Sequence, residues 1–114
     1  MAISEAYAGT EAVSTTEHSI TTDTAGPDVD TNDGVYQIFL DVSDMVAGDE
    51  LQIRVYEKVG AASTQRIVYQ SNLVGAQSPP IWVSPSLILL HGWDCTLDAI
   101  SGTVTVDWSI RKVA

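Results

Sequence analysis

The sequence predicts an all-β fold: an antiparallel sandwich of about eight strands, jelly-roll-like, with an immunoglobulin-like sandwich as the alternative. Three observations carry this. Short apolar-alternating runs recur along the chain, separated by Gly, Pro, Ser and Asp. No long helical period interrupts them. The stretch Gly92–Val113, GWDCTLDAISGTVTVDWSIRKV, places Trp93, Cys95, Leu97 and Ala99 on one parity, then Val104, Val106, Trp108 and Ile110 on one parity after Ser101-Gly102. It predicts an antiparallel hairpin about a tight Ser-Gly turn, whose tryptophan-bearing face needs a second sheet to cover it.

At 114 residues the chain is one domain, long enough to bury a core without staples. Its single cysteine, Cys95, excludes an intrachain disulfide and is expected as a small buried hydrophobe, in keeping with a reducing cytoplasm. No secretory signal and no bilayer-length apolar run is visible. Fifteen acids face five bases, a net charge of −10. Residues 1–50 hold eleven acids and no Lys or Arg. Such a surface repels phosphate, so neither nucleic acid nor an anionic membrane is expected as a partner.

Residues 1–33 are acidic, rich in Ser and Thr and poor in large apolar groups. They read as an extended arm, with Val13–Ile20 as a possible edge strand and residues 34–114 as the sandwich core. In Asp28–Gly34 oxygen side chains alternate as a calcium loop would require. Asp33 stands where that loop needs its glycine and Phe39 where it needs its glutamate, so the segment reads as an acidic turn. Gly34–Asp41 is apolar on both faces, with Tyr36, Ile38 and Leu40 on one and Val35 and Phe39 on the other, and reads as a central strand. Val42–Ala47 is expected to make one helical turn. Glu50–Val59 and Gln65–Val74 are expected to pair as a hairpin. Ile81–Val83, lying between prolines, belongs at a sheet edge. Leu87–Leu90 reads as a strand buried on both sides.

Chemistry is sparse. His18, His91 and Cys95 are the candidates for a metal site. In a strand His91 and Cys95 stand about 13 Å apart, too far to share an ion. No Gly-x-Ser-x-Gly elbow, dinucleotide fingerprint or phosphate-binding loop is present, so no enzyme, cofactor or metal is expected. Asp94 and Asp98 fall on the polar face of a strand and are expected in solvent. What remains is a candidate partner interface: Trp82 among prolines, the basic-aromatic stripe Arg54, Tyr56 and Lys58, and the arm residues Tyr7, Val13 and Ile20.

The runs AGDELQIRVYEKV, TQRIVYQ, GAQSPPIWVSPSLILLHGWDCTL and VDWSIRKV resemble small proteins encoded among the head genes of tailed bacteriophages, over about residues 33–114. The resemblance implies a non-enzymatic virion component, made in the host cytoplasm and placed on the capsid surface as a decoration or cement protein. Its implied partner is the major capsid protein, and its implied state a homo-oligomer, with a trimer favoured. A tail or fibre-base role is an alternative under the same resemblance. A carbohydrate-binding or adhesive module using Trp82 is a second. Loss of residues 1–33 is expected, on this reading, to leave a folded core that binds particles weakly.

Overall fold

The computed structural model describes residues 2–113. Ten strands follow in order: β1 (Ile3–Val13), β2 (His18–Ser19), β3 (Thr24–Ala25), β4 (Gly34–Asp41), β5 (Glu50–Glu57), β6 (Arg66–Val74), β7 (Ile81–Val83), β8 (Leu87–Leu89), β9 (Trp93–Ser101) and β10 (Val104–Val113). They form two antiparallel sheets. The front sheet runs β1-β10-β4 and ends in the short strands β7 and β8, which both pair with β4. The back sheet runs β3-β2-β9-β5-β6.

With the two-residue β3 set aside and β7 and β8 taken as one interrupted strand, the chain visits the sheets in jelly-roll order. That matches the expected class, with ten strands in place of eight. No helix long and apolar enough to cross a membrane occurs among the described residues.

Alternation builds the core. Tyr36, Ile38 and Leu40 of β4 and Val104, Val106, Trp108 and Ile110 of β10 face Leu51, Ile53 and Val55 of β5 and Trp93, Cys95, Leu97 and Ala99 of β9, and all are buried. Burying each of the larger ones contributes roughly 1.5–3 kcal/mol. The Trp93 indole N–H donates to the Asn32 carbonyl at 2.9 Å, and its ring lies against Tyr36 with centroids 4.6 Å apart.

Four expectations are corrected. First, β9 and β10 alternate as expected but do not pair. β9 lies between β2 and β5, β10 between β1 and β4, so Ser101-Gly102 carries the chain from one sheet to the other. Two amphipathic strands with a turn between them satisfy their apolar faces equally well across a sandwich as side by side. Second, the edge strand lies at Ile3–Val13, earlier than Val13–Ile20, and pairs along nearly all of β10. Third, Val42–Ala47 forms turns without a helix, anchored by buried Val42 and Met45. Fourth, Leu87–Leu90 is not buried on both sides: Leu89 is core, whereas Ile88 is 82% exposed.

Gly9 explains how a tryptophan fits next to an edge strand. It sits opposite Trp108 in the β1–β10 ladder, and a Cβ there would lie 2.6 Å from Cζ2 of the indole. Gly9→Ala must push Trp108 out of its place. Equilibrium urea unfolding is expected to show a loss of about 1–3 kcal/mol. An unchanged midpoint would mean that the indole shifts freely.

Candidate functional site

The back sheet's outer face is polar yet closed. Asp94, on the outward parity of β9, is fully buried. Its Oδ1 accepts hydrogen bonds from Ser19 Oγ (2.9 Å), Thr21 Oγ1 (2.7 Å) and the Cys95 amide (2.9 Å), and its Oδ2 accepts one from the Asp28 amide (2.7 Å). Burial pushes its pKa above the ordinary carboxylate range, with the four donors opposing. The expectation of a solvated Asp94 is therefore wrong: residues 19–28 fold over the strand, and alternation alone does not report what a distant loop covers.

Beside it, Glu17 accepts from Tyr56 and Thr96, and Arg54 lies 3.5 Å from Glu17 and 3.8 Å from Asp98. Burial likewise raises the Asp98 pKa, with Arg54 opposing. Glu57, at the edge of the core, accepts from the amides of Lys58 (2.9 Å), Leu90 (2.6 Å) and Gly92 (3.0 Å) and so pins the turn before β9.

The residues expected at a partner interface scatter. Val13 and Ile20 are core, each 1% exposed, which removes them from any contact surface. Tyr7 is half-buried; its ring stands edge-on to Trp93, and its hydroxyl donates to Asp30. Burial, followed by that carboxylate, pushes the phenol up to about 12. Arg54 and Tyr56 belong to the Glu17 network, and Lys58 lays its stem against Gly92. Trp82 points inward beside Leu40 and meets Tyr69 across the sandwich edge with centroids 6.4 Å apart.

His18, Cys95 and His91 do not converge. Cys95 is sealed in the core, where burial raises its thiol pKa. His18 instead sits between two carboxylates, Nδ1 3.8 Å from Glu11 and Nε2 2.8 Å from Asp23. Each ring nitrogen faces its own acid, a geometry that ties β1 to the β2–β3 turn.

The exposed chemistry lies on the front sheet's outer face. Strand register lines up Ile88, Val35, Val113 and Ile3 across β8, β4, β10 and β1, and all four are exposed. A second row brings Val83 beside Phe39, and Ile81 follows at the end of β7. Arg111 lies between the rows with its guanidinium 3.8 Å from the Phe39 ring centroid. Shallow hollows on either side of this pair share Phe39 and Arg111 as lining. Seven large apolar side chains on one open sheet face exceed the single scattered residues of an ordinary surface. The signal was present in GVYQIFLD, whose two apolar parities read equally well as a strand covered on both sides.

No protein-family model matches the chain, and no curated protein matches it. Solved structures that share its fold include these two. One is the subunit of Bacillus endospore appendages, described as a novel family of disulfide-linked pili: 15% identity, 97% of this chain and 88% of that one, TM-score 0.50. The other is the Yersinia pseudotuberculosis-derived mitogen: 11% identity, 99% of this chain and 86% of that one, TM-score 0.51. At these identities the likeness shows an all-β sandwich shared with a pilus protein and a mitogen. The disulfide linkage of the pili has no counterpart in a chain whose single cysteine is buried.

Proposed function

We propose that this chain is a non-enzymatic structural subunit of a tailed-phage particle, a decoration protein that lays the outer face of its front sheet on the major capsid protein. The observation that carries the reading is the apolar row Ile88–Val35–Val113–Ile3 with Val83, Phe39 and Ile81 beside it. Such a patch on a rigid sheet suits a flat protein surface. Arg111 at its centre, exposed on the sheet face, offers a cation to a partner carboxylate or carbonyl. The sequence resemblance to phage head proteins supports the setting, and the fold's occurrence in a pilus protein supports a structural use of it. The carbohydrate reading loses its platform, because Trp82 faces inward against Tyr69.

Two measurements test this. Copy number in purified particles is expected near that of the major capsid protein. A handful of copies would move the protein to the tail or a vertex, and absence would end the virion reading. Ile88→Asp leaves the core untouched and is expected to weaken binding to undecorated particles by about 10-fold or more. Full binding by a folded Ile88→Asp protein would rule out this face.

A further inference from the structure

β6 ends the back sheet, paired by β5 alone. Along Tyr69–Val74 no second strand meets its backbone among the described residues. The straight stretch is bounded on both sides. Val68 is a bulge between the pairs Val55–Tyr69 and Tyr56–Ile67, and the Gln77 side chain caps the carbonyls of Val74 and Gly75. An open strand of this kind is a template for another strand.

Two features say which strand. The first is charge. Residues 58–93, which include β6, contain no Asp or Glu, although the chain holds fifteen. Here a molecule of net charge −10 can meet its own copy without opposing acid to acid. The front sheet offers no equivalent edge: β1 carries Glu5 and Glu11, and the opposite side is made of the three-residue strands β7 and β8.

The second is order. Val68-Tyr69-Gln70-Ser71-Asn72-Leu73-Val74 has the same chemistry read in either direction from Ser71. Turned antiparallel about a two-fold axis at Ser71, Tyr69 faces the partner's Leu73 and Gln70 faces the partner's Asn72. Val68 meets the partner's Val74 at the bulged end. The parities agree, since Tyr69 and Leu73 are half-buried on the inner face while Gln70 and Asn72 are exposed on the outer. Apolar therefore meets apolar, and amide meets amide.

We propose that β6 pairs antiparallel with β6 of a second copy, in the register centred on Ser71, to give a two-fold dimer with a continuous back sheet. The proposal is independent of the capsid reading, which uses the opposite sheet.

The test is the solution mass of the intact protein by light scattering at about 100 µM, where a micromolar association is populated. Twice the 12.2 kDa chain mass is expected; a monomer or a trimer overturns the proposal. Gln70→Lys with Asn72→Lys puts lysine opposite lysine at exposed positions and is expected to weaken the dimer about 100-fold, with a melting temperature equal to that of the wild type in dilute solution, where both are monomeric. Mixing it with Gln70→Glu/Asn72→Glu is expected to restore a mixed dimer. A lysine variant that stays as dimeric as the wild type overturns the register. Ser71→Cys supplies a readout that needs no lysine variant. With Cys95 buried, it is expected to cross-link as a dimer on oxidation, and failure to do so counts against the axis.

Discussion

A protein lacking residues 1–13 is expected not to fold. The segment is a full strand of the front sheet, paired with β10 from Ile3 to Val13. Its removal exposes the ladder edge of β10 and takes away Gly9 and Tyr7, which cover Trp108 and Trp93. It also deletes Val13 from the core and the Glu11 partner of His18. Together these exceed about 5 kcal/mol, the lower end of a small domain's whole stability. Near-ultraviolet circular dichroism is expected to lose its tryptophan signature, and urea unfolding to lose its cooperative transition. If the truncated chain instead unfolds cooperatively within about 2 kcal/mol of the intact one, β1 is the detachable arm that its composition suggested.

Asp94→Ala is expected to cost about 3–5 kcal/mol, the largest effect of any single polar substitution in the chain. Four donors lose their acceptor at once. Three of them, the Ser19 and Thr21 hydroxyls and the Asp28 amide, belong to the segment that covers the back sheet. Asp94→Asn keeps the shape but turns an amide donor towards part of this set, at a cost of about 1–3 kcal/mol. The pH dependence has a definite sign. Burial holds the folded-state pKa above the unfolded one, so the folded protein takes up the proton first. The stability it gains is complete below the unfolded value and is lost as pH rises through the folded value. Wild type should therefore gain on Asp94→Asn as pH falls from neutral towards 4. Parallel stability curves for the two proteins would show that Asp94 does not titrate differently on folding.

The fold was legible where periodicity decides the matter. Tyr36, Ile38 and Leu40, the alternation of β5, and both tryptophans of the C-terminal stretch lie where period two places them. Pairing was not legible. β9 and β10 satisfy the same pattern as a hairpin, and only the competition of β1, β2, β4 and β5 for their edges assigns them to opposite sheets. Burial of polar groups was hidden for a related reason. Asp94, Glu57 and Glu17 are closed over by residues remote in sequence, so their local context resembles that of any exposed acid. The front sheet's apolar face was visible as side chains but not as a surface, since Val35, Ile88 and Val113 become neighbours only through strand register.

The pairing of Ile3 with Val113 also sets the order of events during synthesis. β1 leaves the ribosome before the other strands described, and the strand that receives it emerges about a hundred residues later, so this long ladder cannot close until β10 is out. A strand rich in Val and Ile would be a hazard through that interval. β1 instead carries Ser4, Glu5, Ala6, Ala8, Gly9, Thr10, Glu11 and Ala12, a composition that stays dissolved while it waits. The same residues that make it look like a solvated tail let it remain single until its place in the sheet exists.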